Sequence, residues 1–158
     1  MQSLLQFRLQ PMHVALAVLV LALSFVAVAP SISADPVTHR VAIHVDDNDP
    51  QRMNMALNNV RNIKKYYDSV DEKVEIEVVA YGAGLHMLRA DTSPVIDRIE
   101  AMSLEIEGLK FSACGDTHAA MGKRSGDEVE LLKQATVVPS GIAQLIHLQE
   151  KGYAYVRP

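Results

Sequence analysis

The chain has 158 residues, with 15 Lys plus Arg against 19 Asp plus Glu and a formal net charge of −4. Its size and its 49% hydrophobic share fit one globular domain and exclude wholesale disorder. The acidic balance and the lack of Trp argue against binding nucleic acid through phosphates or base stacking, and the single cysteine, Cys114, excludes an intrachain disulfide framework and a multi-thiolate zinc site.

Residues 1–13 carry one cation, Arg8, and no acid. An apolar run follows from Val14 to Ala29, broken only by Ser24, and Ile32-Ser33-Ala34 ends on a small residue. This pattern predicts a secretory signal peptide over residues 1–34, cleaved after Ala34. The alternative is an uncleaved membrane anchor, for which the run is short of the roughly 20 apolar residues that span a bilayer. Removing 34 of the 158 residues leaves 124, a domain over residues 35–158, exported to the periplasm or beyond. A thiol there works in an oxidising compartment.

Arg40–Val45 reads as a short buried strand. The run Asp46-Asp47-Asn48-Asp49 supplies caps and turn residues, and Pro50 suits a first helical position. Met53, Leu57, Val60, Lys64 and Tyr67 then recur at helical spacing. Val74–Ala80 reads as a second strand, broken at Tyr81-Gly82-Ala83-Gly84. A helix is expected from near Ser93 to Gly108, with Val95, Ile99, Met102 and Ile106 as its apolar stripe. Leu109–Ala113 is a third strand with Cys114 at its end, and residues 115–122 follow as a short helix or turn. Ser125-Gly126-Asp127-Glu128 has the spacing of a capping box, so a helix start is expected there. Thr136–Val138 is a fourth strand, Ser140 opens a last helix closed by Gly152, and Tyr153–Val156 is a fifth strand. Strands joined by helices predict a mostly parallel five-stranded sheet in a three-layer α/β sandwich.

In such sheets ligands bind beyond the carboxyl ends of the strands. The sequence puts His44 and Asp46, Gly82 and Gly84 with His86, then Cys114 with Asp116 and His118, and finally Ser140-Gly141 at those ends. A thiol at a strand end facing a helix N-terminus is favoured as thiolate, with His86 or His118 as a nearby cation or proton acceptor. The ordinary reading of Cys114 is a buried small hydrophobe, that of His44 a hydrogen-bonded core residue, and that of Ser140 an N-cap. A metal site from His44, Asp46, His86, Cys114 and His118 lacks any fixed ligand spacing. The lone G-x-G at Gly82–Gly84 gives weak support for a nucleotide.

His44-Val45-Asp46, Asn59, Val79–Leu88 (VAYGAGLHML), Lys110–Gly122 (KFSACGDTHAAMG) and Val137–Pro158 together resemble the DsrE/DsrF-like family, here as an exported single-cysteine branch. The resemblance runs from about His39 to Pro158. It implies a flavodoxin-like five-stranded fold, a homo-trimer or homo-hexamer, and a link to sulfur relay. In relay members a cysteine after the third strand carries a persulfide to a partner, and Cys114 matches that position. The expected protein is thus an exported sulfur carrier acting through a solvent-reachable Cys114 and needing no cofactor. His44, Asp46, Asn59, Gly82, Gly84 and His86 are its candidate pocket residues, and a sulfur donor or acceptor protein is its partner. The alternatives are a non-catalytic oligomeric module binding a small anion or a partner protein, and a periplasmic metal-binding protein.

Overall fold

The computed structural model describes residues 38–158. The leader expected over residues 1–34 lies outside the described residues. Five strands, β1 (Thr38–Val45), β2 (Lys73–Ala80), β3 (Leu109–Cys114), β4 (Ala135–Val138) and β5 (Ala154–Val156), form one sheet in the order β4-β3-β2-β1-β5. Every pairing is parallel. The predicted α/β architecture is the observed one. Val78, Val79 and Ala80 read as an unbroken apolar run because both faces of the sheet are covered there.

The helices are α1 (Pro50–Ser69), α2 (Ile96–Glu105), α3 (Gly115–Ser125) and α4 (Gly141–Glu150). Asp49 caps α1 by accepting from the Gln51 N–H at 2.8 Å, and Pro50 sits where no N–H is needed. From β1 to β4 the chain steps in one direction across the sheet, so right-handed connections put α1, α2 and α3 on one face. Their Met53, Leu57, Ile99, Met102 and Met121 pack with Ile43, Val78 and Phe111 in the main core. The return from β4 to β5 carries α4 over the other face, where Leu145 and Leu148 pack on Ala42 and Val79. Strand alternation turns His44, Glu77, Ser112 and Cys114 toward that second, thinner layer.

Strand β2 breaks where expected, after Ala80, and the segment that follows is a 3-10 helix, Gly82–Leu88. Gly82 has φ +55°, and a Cβ on Gly84 would stand 2.3 Å from the Val45 carbonyl oxygen, so the turn folds against β1 only without side chains there. Two local expectations change. The second helix starts at Ile96 rather than near Ser93, because the Ser93 hydroxyl donates back to the Met87 carbonyl at 2.6 Å and holds a turn. Ser125-Gly126-Asp127-Glu128 is a helix end, not a start. Gly126 takes the left-handed conformation that stops α3. The chain beyond it runs extended, paired with residues 88–90 through Ala90 N–H to Glu130 O and Leu132 N–H to Leu88 O, both 2.9 Å. Val129 and Leu132 reach the core from this extended segment. No helix among the described residues is long and apolar enough to cross a membrane.

Candidate functional site

Cys114 is both the last residue of β3 and the N-cap residue of α3. Its side chain therefore stands at the first turn of α3, where N–H groups have no partner within the helix; the Asp116 N–H donates to the Pro139 carbonyl oxygen at 3.2 Å. The start of α4 converges on the same point. A Cβ on Gly141 would fall 2.8 Å from Tyr81 Cβ and 3.1 Å from Cys114 Cβ, so only glycine lets that helix come this close. Two helix N-termini, each the positive end of its dipole, meet at one sulfur.

Burial pushes the Cys114 thiol up, but hydrogen bonds to the sulfur outweigh it and the thiol lies below its ordinary 9.0. The lowering comes from the Thr117 hydroxyl first, then from the N–H groups of Gly141, Thr117 and Asp116, the last of which is shared with the Pro139 carbonyl oxygen. Thr117 is itself aligned, because its Oγ1 accepts from the Gly82 N–H at 3.0 Å and its hydrogen is left for the sulfur. Neutral donors, rather than a histidine, thus favour the anion.

The expected histidine partners are engaged elsewhere. His86 Nδ1 lies 2.9 Å from the Thr92 hydroxyl, and His118 Nε2 lies 2.6 Å from the Val129 carbonyl oxygen. Gly82 and Gly84 shape the turn, and only Gly82 reaches the sulfur's surroundings, through Thr117. Asn59 lies mid-way along α1, on the face of the sheet opposite Cys114, and is not brought to it. Ser140 makes no side-chain cap bond. The amide after it serves Cys114 instead.

His44 lies on the Cys114 side of the sheet with Tyr81 between them. Its ring stacks on Tyr81 with centroids 4.7 Å apart, and its Nδ1 is 2.7 Å from the Tyr155 hydroxyl. Tyr155, His44, Tyr81 and Cys114 thus form a row across β5, β1, β2 and β3 at their carboxyl ends. Burial lowers the His44 pKa, opposed by Asp46 and Asp47 and assisted by Arg157. Burial raises the Tyr81 pKa, with Asp46, Tyr155 and the Cys114 thiolate adding to it and Arg157 opposing. Asp46 is held by a two-pronged pair to the Arg157 guanidinium at 2.8 and 3.0 Å. Deeper under α4, the buried Glu77 carboxylate accepts from the Ser112 hydroxyl at 2.6 Å and the Gln144 amide at 2.7 Å.

Cys114 is only 4% exposed. The expectation of a thiol open to solvent at the rim is not met within one chain. A cleft of about 600 Å³ among the described residues lies at the opposite end of the sheet, lined by groups such as Lys64, Asp68, Glu72 and Lys73. Among the described residues no three His, Cys, Asp or Glu side chains are grouped to hold a metal ion. Of the metal-site residues named from the sequence, His44 and Asp46 lie 3.7 Å apart, with no third such side chain among the described residues grouped with them.

A model of the DsrE/DsrF-like family matches residues 39–158. The chain belongs to the DsrE/DsrF-like family. None of the curated proteins matches. Among solved structures, a protein of unknown function, MTH1491 from Methanobacterium thermoautotrophicum, is 36% identical with a TM-score of 0.65. That match covers 76% of this chain and 99% of the other. Within this DsrE-like fold the roles that sequence reasoning missed are those of Thr117, Tyr81, Tyr155 and Arg157. The Cys-x-x-Thr spacing at a helix start was a readable signal for Thr117. Tyr155 faces the layer that holds His44, but a three-residue strand is too short for alternation to show it.

Proposed function

We propose that this DsrE-like chain is a sulfur carrier acting through Cys114. The observation that carries the reading is the convergence of two helix N-termini and the Thr117 hydroxyl on one sulfur, which favours its thiolate. In the uptake step the Cys114 thiolate attacks the outer sulfur of a persulfide or polysulfide. The donor's S–S bond breaks, the donor leaves as a thiolate, and Cys114 holds the transferred sulfur as a persulfide. In the release step an acceptor thiolate attacks that outer sulfur and Cys114 leaves as the thiolate. No net oxidant is consumed. Exposure to polysulfide, followed by intact-mass measurement, is expected to add one sulfur atom to the wild type and none to Cys114→Ser. Equal masses with and without polysulfide in both proteins contradict the reading.

The burial of Cys114 supports a second reading, an oligomeric binding module in which the thiol is inert. In the carrier reading Tyr81 or the start of α4 moves aside to admit the partner. Export and self-association complete the proposal. The apolar leader supports export, and N-terminal sequencing of exported protein is expected to begin at Asp35. Ile142 and Ile146, 54% and 53% exposed and one turn apart on α4, support contact with a second copy. Sedimentation of the Ile142→Lys variant as a smaller species than the wild type is the expected result.

A further inference from the structure

The His44 side chain is 7% exposed, and its Nε2 has no hydrogen-bond partner among the described residues. A buried polar nitrogen in that position is costly unless something meets it. Beside it lies a cavity of about 10 Å³, lined by His44, Val45, Asp46, Asp47, Arg52 and Pro158. That is close to the smallest volume that holds one water. Nε2 stands 3.7 Å from Asp46 Oδ2, too far for a direct bond, and both residues line the cavity.

The charges around the cavity argue against a cation as its occupant. Arg157 grips the Asp46 carboxylate, and the Arg52 Nε lies 3.3 Å from Asp47 Oδ2. Arg52 also donates to the Pro158 carbonyl oxygen at 3.0 Å. Both carboxylates already have a guanidinium, and an added metal ion would have to displace one. A neutral molecule that accepts on one side and donates on the other suits the remaining gap.

We propose that this cavity is a binding site for a single water molecule, which accepts from His44 Nε2–H and donates to the Asp46 carboxylate. The consequence is directional. A neutral imidazole carries one proton. With that proton on Nε2, Nδ1 is the acceptor and Tyr155 is the donor. The chain then runs from Tyr155 to His44 to the water to Asp46. It fixes the ring on which Tyr81 stacks beside Cys114, and it does so whether or not Cys114 carries sulfur.

The test is long-range nitrogen–proton correlation NMR of the full chain at neutral pH, with a high-resolution crystal structure. The expected result is a protonated Nε2, a bare Nδ1, and a density peak within hydrogen-bonding distance of both Nε2 and Asp46. The Tyr155→Phe variant is expected to keep the Nε2–H form, and added zinc chloride is expected to leave the His44 signals in place. A proton on Nδ1, a cavity without density, a form that switches in Tyr155→Phe, or signals displaced by zinc would each overturn the proposal.

Discussion

Thr117 accepts from Gly82 and donates to Cys114, so one hydroxyl joins the turn after β2 to the sulfur. A hydrogen bond to a charged group is worth about 1.5–3 kcal/mol, which at about 1.4 kcal/mol per pKa unit is roughly one to two units. Thr117→Val is therefore expected to raise the Cys114 pKa by about that much, and Thr117→Ser to leave it near the wild-type value. Thiolate absorbance against pH reads both. His44 carries a second prediction. Its folded pKa lies below the 6.5 of a free imidazole. Below that pH the unfolded chain binds a proton that the folded chain refuses, so stability falls on acidification through 6.5 until the folded pKa is reached. Urea midpoints are expected to drop more steeply for the wild type than for His44→Gln as pH falls from about 7. Parallel curves would refute this.

Gly141 and Gly84 set how closely elements approach. Gly141→Ala puts a Cβ into the space between Tyr81 and Cys114, so the start of α4 must retreat and its N–H leaves the sulfur. The expected outcome is a loss of about 1–3 kcal/mol of stability together with a raised thiol pKa. Chemical denaturation and thiol titration of one sample check both. Gly126→Ala meets no atom within 4 Å and is expected to cost stability only through its left-handed φ, leaving the thiol unmoved. The elements themselves were largely legible. The parallel strands appear as apolar runs, and the stripe Val95, Ile99, Met102 and Ile106 is buried as the spacing predicted. Ser125–Glu128 misled because a serine near an acid has the same spelling at a helix end as at a start. What decided it was the pairing of residues 130–132 with 88–90, a long-range contact that local spacing does not encode.

In the whole molecule, the sheet order brings Cys114, Tyr81, His44 and Tyr155 into one row from four separated stretches of sequence. The strand ends predicted that His44 and Cys114 share an edge. They also predicted that the helix after β3 would turn its N-terminus to the sulfur, but not that Gly141 of α4 would join it while His86 and His118 bind elsewhere, because that depends on how the helices dock. Nor did they predict the depth of Cys114, since α4 returns across the sheet and covers it. A sulfur carrier would need two properties of Cys114, a stabilised anion and a cover that opens. The rate of Cys114 alkylation as a function of pH, measured on the folded protein, reads both at once. For a carrier, the expected result is steady modification well ahead of global unfolding, with the half-maximal rate at a pH below the roughly 8.5 of a free thiol. A thiol modified only as fast as the protein unfolds, or an inflection at or above that value, would contradict it.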